Sequence, residues 1–225
     1  MEQGEGSEYR PVSRLAVAAL VAGVLAALAL VSPLCWALPL VALGLAVAAL
    51  ADVNRPGAPK AGGLAAVVGL ALAVGFGSQA VSDAAATRWL VARRAEATAR
   101  HWIDAVRAGR LADAISVSAP RALPAVAGSP DEPGRPAVTA GDELAKAFGE
   151  LPAVRAVAGC GAAAAAEVTA VSAGTAAEWG WVVHASLAAC GRPDETLRIV
   201  VAPDRVERQG GSVERWLVTG FTLER

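Results

Sequence analysis

The chain has 225 residues, a formal net charge of −1, 55% hydrophobic residues and a mean hydropathy of +0.45. This length allows one or two domains, and the apolar excess excludes an ordinary soluble domain over the whole chain. From Ala84 onward sixteen Lys/Arg balance sixteen Asp/Glu, so there is no basic field for a nucleic-acid partner.

Residues 1–13 read as a polar cytoplasmic tail. Between Arg14 and Asp52 no side chain is charged. As one helix that run would be about 55 Å long, against a hydrocarbon core of about 30 Å, so it reads as two spans. They cover about 15–32 and 34–51, with Pro33 as the turn because it removes a donor and disfavours helix at Ser32. The stretch "ALVSPLCWALPL" is neither a lipid-attachment site nor a signal cleavage site. Leu34, not a small residue, precedes Cys35, and the chain after Cys35 stays apolar. Cys35 is therefore expected to be a buried apolar thiol, with Trp36 at the membrane interface.

A polar loop, "DVNRPGAPKAGG", leads to a third charge-free run that gives a span over about 62–81. Residues 14–83 thus read as a three-helix transmembrane bundle in contact with the lipid bilayer. Small residues recur at helical spacing, and Gly23, Gly44, Gly69 and Gly77 are the positions where helix backbones are expected to approach. Arg10, Arg14, Arg55 and Lys60 place the N-terminus in the cytoplasm by the positive-inside rule. Three crossings then put the C-terminal domain, residues 84–225, on the periplasmic or extracytoplasmic side of a bacterial inner membrane.

The phrases "YRPVSRLAVAALVAGVLAAL", "LPLVALGLAVAALADVNRPG" and "GGLAAVVGLALAVGFG" resemble a small bacterial three-span membrane domain of unknown function. The resemblance covers roughly residues 9–80 and implies no activity, ligand or catalytic residue.

Beyond the membrane part, "SDAAATRWLVARRAEATARHWIDAVRAG" predicts a helix, capped at Ser82, ended at Gly109 and continuing the third span. A short helix is expected in "RLADAISVSA", a loop in the proline-rich "PRALPAVAGSPDEPGRPAVT", and a helix near "AGDELAKAFGEL". Alternating patterns then predict strands in "AAAAEVTAVS", "EWGWVVHASLAAC", "ETLRIVVA" and "ERWLVTGFTLE", with a turn at Gln209–Gly211. Helices followed by strands make an α+β domain with helices packed on a curved antiparallel sheet.

This element order, with the phrase "HWIDAVRAGRLADAISV", resembles the nuclear-transport-factor-two-like (cystatin-like) fold. That fold serves enzymes, ligand-binding domains and assembly modules alike, so the likeness leaves function open.

Cys160 and Cys190 are the informative cysteines. A hairpin centred near Thr175 would set them opposite one another on neighbouring strands, within disulfide range. A disulfide there agrees with an exported domain; the alternative is two buried free thiols. Metal is not expected, because two cysteines lack further ligands.

His101 and Asp104, three apart on a helix, and His184 in a strand are weak catalytic candidates, each more simply read as a surface or core side chain. Trp179, Trp181 and Trp216 are expected to build the core or a concave face of the sheet. The sequence shows no Gly-rich phosphate loop, nucleophile elbow or carboxylate cluster with metal-ligand spacing. The expected function is a membrane-anchored extracytoplasmic binding or assembly domain without cofactor, with a membrane or periplasmic protein partner or a second copy as its associate. The alternatives are an enzyme using His101 and Asp104 in a cone-shaped cavity, and a regulatory module acting through the bundle.

Overall fold

The structure is a computed structural model; it describes residues 12–55, 61–124, 137–160, 166–175, 179–208 and 211–225. The chain divides into two units, Met1–Arg88 and Trp89–Arg225.

The first unit opens with helix α1, Arg14–Leu25, which tightens into a 3-10 segment over Ala26–Leu30. Ser32 is extended ahead of Pro33, and its hydroxyl accepts a hydrogen bond from the Leu34 amide at 3.3 Å, starting a second 3-10 turn, Pro33–Trp36. Helix α2, Ala37–Val53, follows directly. Its Pro39 lies in the first turn, where the missing N–H would have had no intrahelical partner. Helix α3, Gly63–Arg107, is 45 residues long and contributes to both units.

Two helical stretches, Leu34–Val53 and Gly63–Arg107, are long and apolar enough to cross a membrane; Arg14–Leu30 is shorter. The shorter stretch stops before Ser32, which is extended ahead of Pro33.

Within this unit the buried residues are small. Ala16, Ala19, Ala46, Ala49 and Ala66 form one cluster, while Val17, Val21, Leu40 and Val47 point outward. A Cβ on Gly23 would lie 2.7 Å from the Gly69 carbonyl oxygen, and one on Gly69 would lie 2.6 Å from that of Ala19. Backbones therefore touch where α1 crosses α3. A Cβ on Gly77 would lie 3.1 Å from the Cβ of Pro39. Gly44 has open space where a side chain would go, so no helix approaches there, and the inward stripe of α2 runs through Ala42, Ala46 and Ala49 instead. The Ser13 hydroxyl donates to Asp52 at 2.7 Å, tying the start of α1 to the end of α2. Cys35 is half-buried rather than enclosed.

In the second unit α3 ends as the sequence suggests. Gly109 has φ +70°, the Arg110 amide donates to the Ala105 carbonyl, and the Gly109 amide donates to that of Val106. This is the left-handed glycine stop. Ser82, in contrast, is interior to α3 and caps nothing, because the helix continues unbroken from Gly63. Helices α4, Leu111–Ser116, α5, Ala137–Gly149, and α6, Pro152–Ala158, follow. No helical period marks α6 in the sequence, since seven residues are too few to show one, but Pro152 at its first turn supplies the start signal. Most of the proline-rich loop, 125–136, lies outside the described residues.

Four strands form one antiparallel sheet in the order β1–β2–β3–β4: Glu167–Ala173, Trp181–Ser186, Thr196–Arg208 and Gly211–Glu224. Inward residues Val183, Ala185, Leu197, Ile199, Val201 and Val218 meet Trp102, Val106, Phe148 and Val157 of the helices in one core. Trp102 lies 4.9 Å from Phe221 with the rings tilted by 38° and edge-on to Phe148, and its indole N–H donates to the Ser118 hydroxyl at 3.2 Å. Burying an indole with its one donor satisfied removes the usual cost of a core tryptophan.

β3 and β4 run past the end of β2, whose first residue, Trp181, pairs with Val201. Beyond that point, among the described residues, β3 pairs with β4 alone, which suits a proline within a long strand at Pro203.

Cys160 and Cys190 have their sulfurs 2.11 Å apart, at bonding distance, with Cα atoms 4.6 Å apart. The expected route to that contact was wrong. The β1–β2 register runs Val171 against Val183 and Val168 against Ala185, three or four residues out from a hairpin centred on Thr175. Neither cysteine is in a strand. Cys160 follows α6, and Cys190 closes the 3-10 turn Ala188–Cys190 between β2 and β3. The pair joins a helix end to a sheet loop.

Candidate functional site: a tryptophan-lined cleft

Where β3 and β4 outrun β2, the second unit carries a cleft of about 960 Å³. Its walls include Trp179, Trp181, Pro203 and Trp216, with Arg121, Asp204, Arg205 and Glu214 among the charged residues.

The backbone at the start of β2 sets this geometry. Gly180 has φ +157°, and a Cβ there would lie 2.6 Å from the Val201 carbonyl oxygen, so only glycine allows β2 to meet β3 this closely. The glycine is flanked by two tryptophans. Trp181 faces inward and packs partly on the core. Trp179 has φ +22° and is 81% exposed, a combination that burial energy does not maintain. Strained backbone presenting a large apolar ring to solvent is characteristic of binding surfaces.

Trp216 is held from below. Its indole N–H donates to Glu214 at 2.9 Å, and the same carboxylate lies 3.5 Å from the Arg94 guanidinium on α3. In register, Pro203 is opposite Trp216 and Arg205 opposite Glu214, so one face of the β3–β4 ribbon alternates apolar and charged groups toward the cleft. Three indoles offer flat stacking surfaces, while guanidinium and carboxylate groups offer charged hydrogen bonds. Among the described residues no cluster of His, Cys, Asp or Glu could hold a metal ion.

The weak catalytic candidates lie elsewhere and apart. His101 and Asp104 are on the exposed side of α3, where Asp104 pairs with Arg107 at 3.6 Å. His184 alternates with the core residues Val183 and Ala185, so it faces away from the helices, 4.0 Å from Glu224. The sheet separates His184 from the other two. Glu224 also lies 3.6 Å from Arg198, making a small polar cluster on that outer face.

No family model, curated protein or solved structure matches this chain. The three tryptophans were visible in the sequence, but their cleft partners Arg121, Pro203, Arg205 and Glu214 were not singled out. A Trp-Gly-Trp triplet was the available signal, since a glycine between two indoles marks a backbone drawn close to something.

Proposed function

We propose that the protein is a membrane-anchored binding domain: a transmembrane helical bundle holding an extracytoplasmic α+β domain that presents the tryptophan cleft to a ligand or protein partner. The observation that carries the binding role is Trp179, 81% exposed with a positive φ at the rim of a cleft that Trp181 and Trp216 also line. Lipid-facing helices explain the first unit, in which Leu and Val point outward and Ala and Gly inward, the reverse of a water-soluble bundle. The twelve α residues of α1 and the five 3-10 residues after it rise about 28 Å together, enough for a third crossing despite the broken geometry.

The cysteine pair favours an oxidising compartment, and with the N-terminal arginines it supports a cytoplasmic N-terminus and a periplasmic or outward-facing domain in a bacterial inner membrane. Helices ahead of a four-stranded antiparallel meander favour the nuclear-transport-factor-two-like reading of that domain. The likeness of residues 9–80 to a three-span membrane domain of unknown function fits the same picture.

The test is ligand screening by tryptophan fluorescence on the detergent-solubilised full chain, against glycan and peptide panels, with Trp179→Ala as control. Saturable changes lost in the variant support the cleft. Saturable binding that is unaltered by Trp179→Ala and by Trp216→Ala argues against it.

A further inference from the structure

Two cavities of the first unit share a wall. The larger, about 820 Å³, is a groove between α2 and α3, apolar along its length from Leu43 and Ala73 to Trp36 and Ser82. The smaller, about 410 Å³, is lined by Ser32, Asp83, Thr87 and Arg88 among others. Ala29, Trp36 and Ala80 line both. An apolar groove thus opens into a polar pocket, with an indole at the junction.

The dimensions match one leaflet of a bilayer. From Ala73 to Ser82 the helix rises about 13.5 Å, close to half of a hydrocarbon core of about 30 Å. From Asp83 to Arg88 it rises a further ~7.5 Å, about the depth of one head-group layer. Trp36 falls at the boundary between the two, where an indole is most stable.

The polar end carries one cation and one anion, and neither Asp83 nor Arg88 is in an ion pair among the described residues. A guanidinium recognises a phosphate through paired N–H donors, and a carboxylate accepts from an ammonium. A head group with a phosphate alone would satisfy Arg88 but meet Asp83 as a like charge.

We propose that this groove binds one phospholipid of a single leaflet, with an acyl chain along α2 and α3 and a phosphoethanolamine head group between Arg88 and Asp83. The site rests on the membrane reading above and adds to it a defined lipid.

The experiment is native mass spectrometry of the full chain in mild detergent, titrated with dioleoyl phosphatidylethanolamine, phosphatidylglycerol and diacylglycerol. The expected result is one phosphatidylethanolamine per chain, retained about tenfold better than either competitor. Asp83→Asn erases the preference over phosphatidylglycerol, and Arg88→Gln the preference over diacylglycerol; both side chains are exposed, so both variants fold. Val74→Trp, at an outward-facing groove position that is 55% exposed, fills the groove and lowers retention of all three. Equal retention of the three lipids by the unaltered chain overturns the site, as does a preference that survives both charge variants. Recovery of the chain from the soluble fraction without detergent sinks the membrane reading, and the site with it.

Discussion

Removing the link between Cys160 and Cys190 should cost the second unit a measurable and calculable part of its stability. The two residues are 30 apart in sequence. Closing a loop of that length removes about 3.7 kcal/mol of chain entropy from the unfolded ensemble at 25 °C. For a unit of roughly 140 residues, unfolding entropy near 2.1 cal/mol/K per residue converts this to a drop in Tm of about 12 °C. The assay is thermal unfolding of the detergent-solubilised chain by tryptophan fluorescence, reporting on Trp102 in the core. The double variant Cys160→Ala, Cys190→Ala is compared with the unaltered chain, with and without dithiothreitol. Reduction removes no heavy atom, although the two sulfurs must part from bonding distance, so it separates loss of the cross-link from truncation of the buried Cys160 side chain. A Tm within about 3 °C in all three samples, together with full labelling of both thiols in never-reduced membranes, would refute the reasoning.

Gly23→Ala forces a methyl against the Gly69 carbonyl and should destabilise the bundle by about 1–3 kcal/mol in a denaturation titration, whereas Gly44→Ala meets open space and should be neutral or slightly stabilising. Trp102→Ala removes the centre of the aromatic cluster and leaves Ser118 without its indole donor; a loss of about 3–5 kcal/mol is expected by chemical unfolding. Trp179→Gly relieves a positive φ at an exposed position, so its melting temperature should be unchanged or higher, and a lowered one would show that the ring supports the fold. The Glu195 carboxyl is held below its ordinary range by the hydrogen bond from Arg192. Its stabilising contribution is therefore present above the ordinary carboxylate pKa and fades as pH falls through the lowered value. Arg192→Gln should move its titration upward in a carboxyl NMR experiment.

The apolar runs and the strand alternation were legible because both depend on period and composition alone. A 37-residue charge-free stretch interrupted by Pro33 has few solutions, and Gly109 marks the end of α3 through its own backbone freedom. α6 was not legible, since seven residues hold too few turns for a period to emerge. Ser82 misled for the opposite reason. It is a good cap in isolation, but nothing in α3 breaks before it, and a helix already propagating needs no new start.

The amino-acid order by itself determined an apolar helical N-terminal part, a helices-then-strands domain and a cysteine pair whose spacing permits a cross-link. Only the tertiary structure decided how those residues meet. It brought Cys160 to Cys190 through a helix end and a loop rather than across a hairpin, and it left Gly44 facing open space while Gly23 and Gly69 touch. It also set the three tryptophans, expected in the core or on a concave face of the sheet, along the walls of a cleft, with Trp181 and Trp216 still packed on the core. The physical reason is common to all three: a side chain's neighbours depend on register and on how far one strand or helix outruns the next, and those lengths are set by packing between segments distant in sequence.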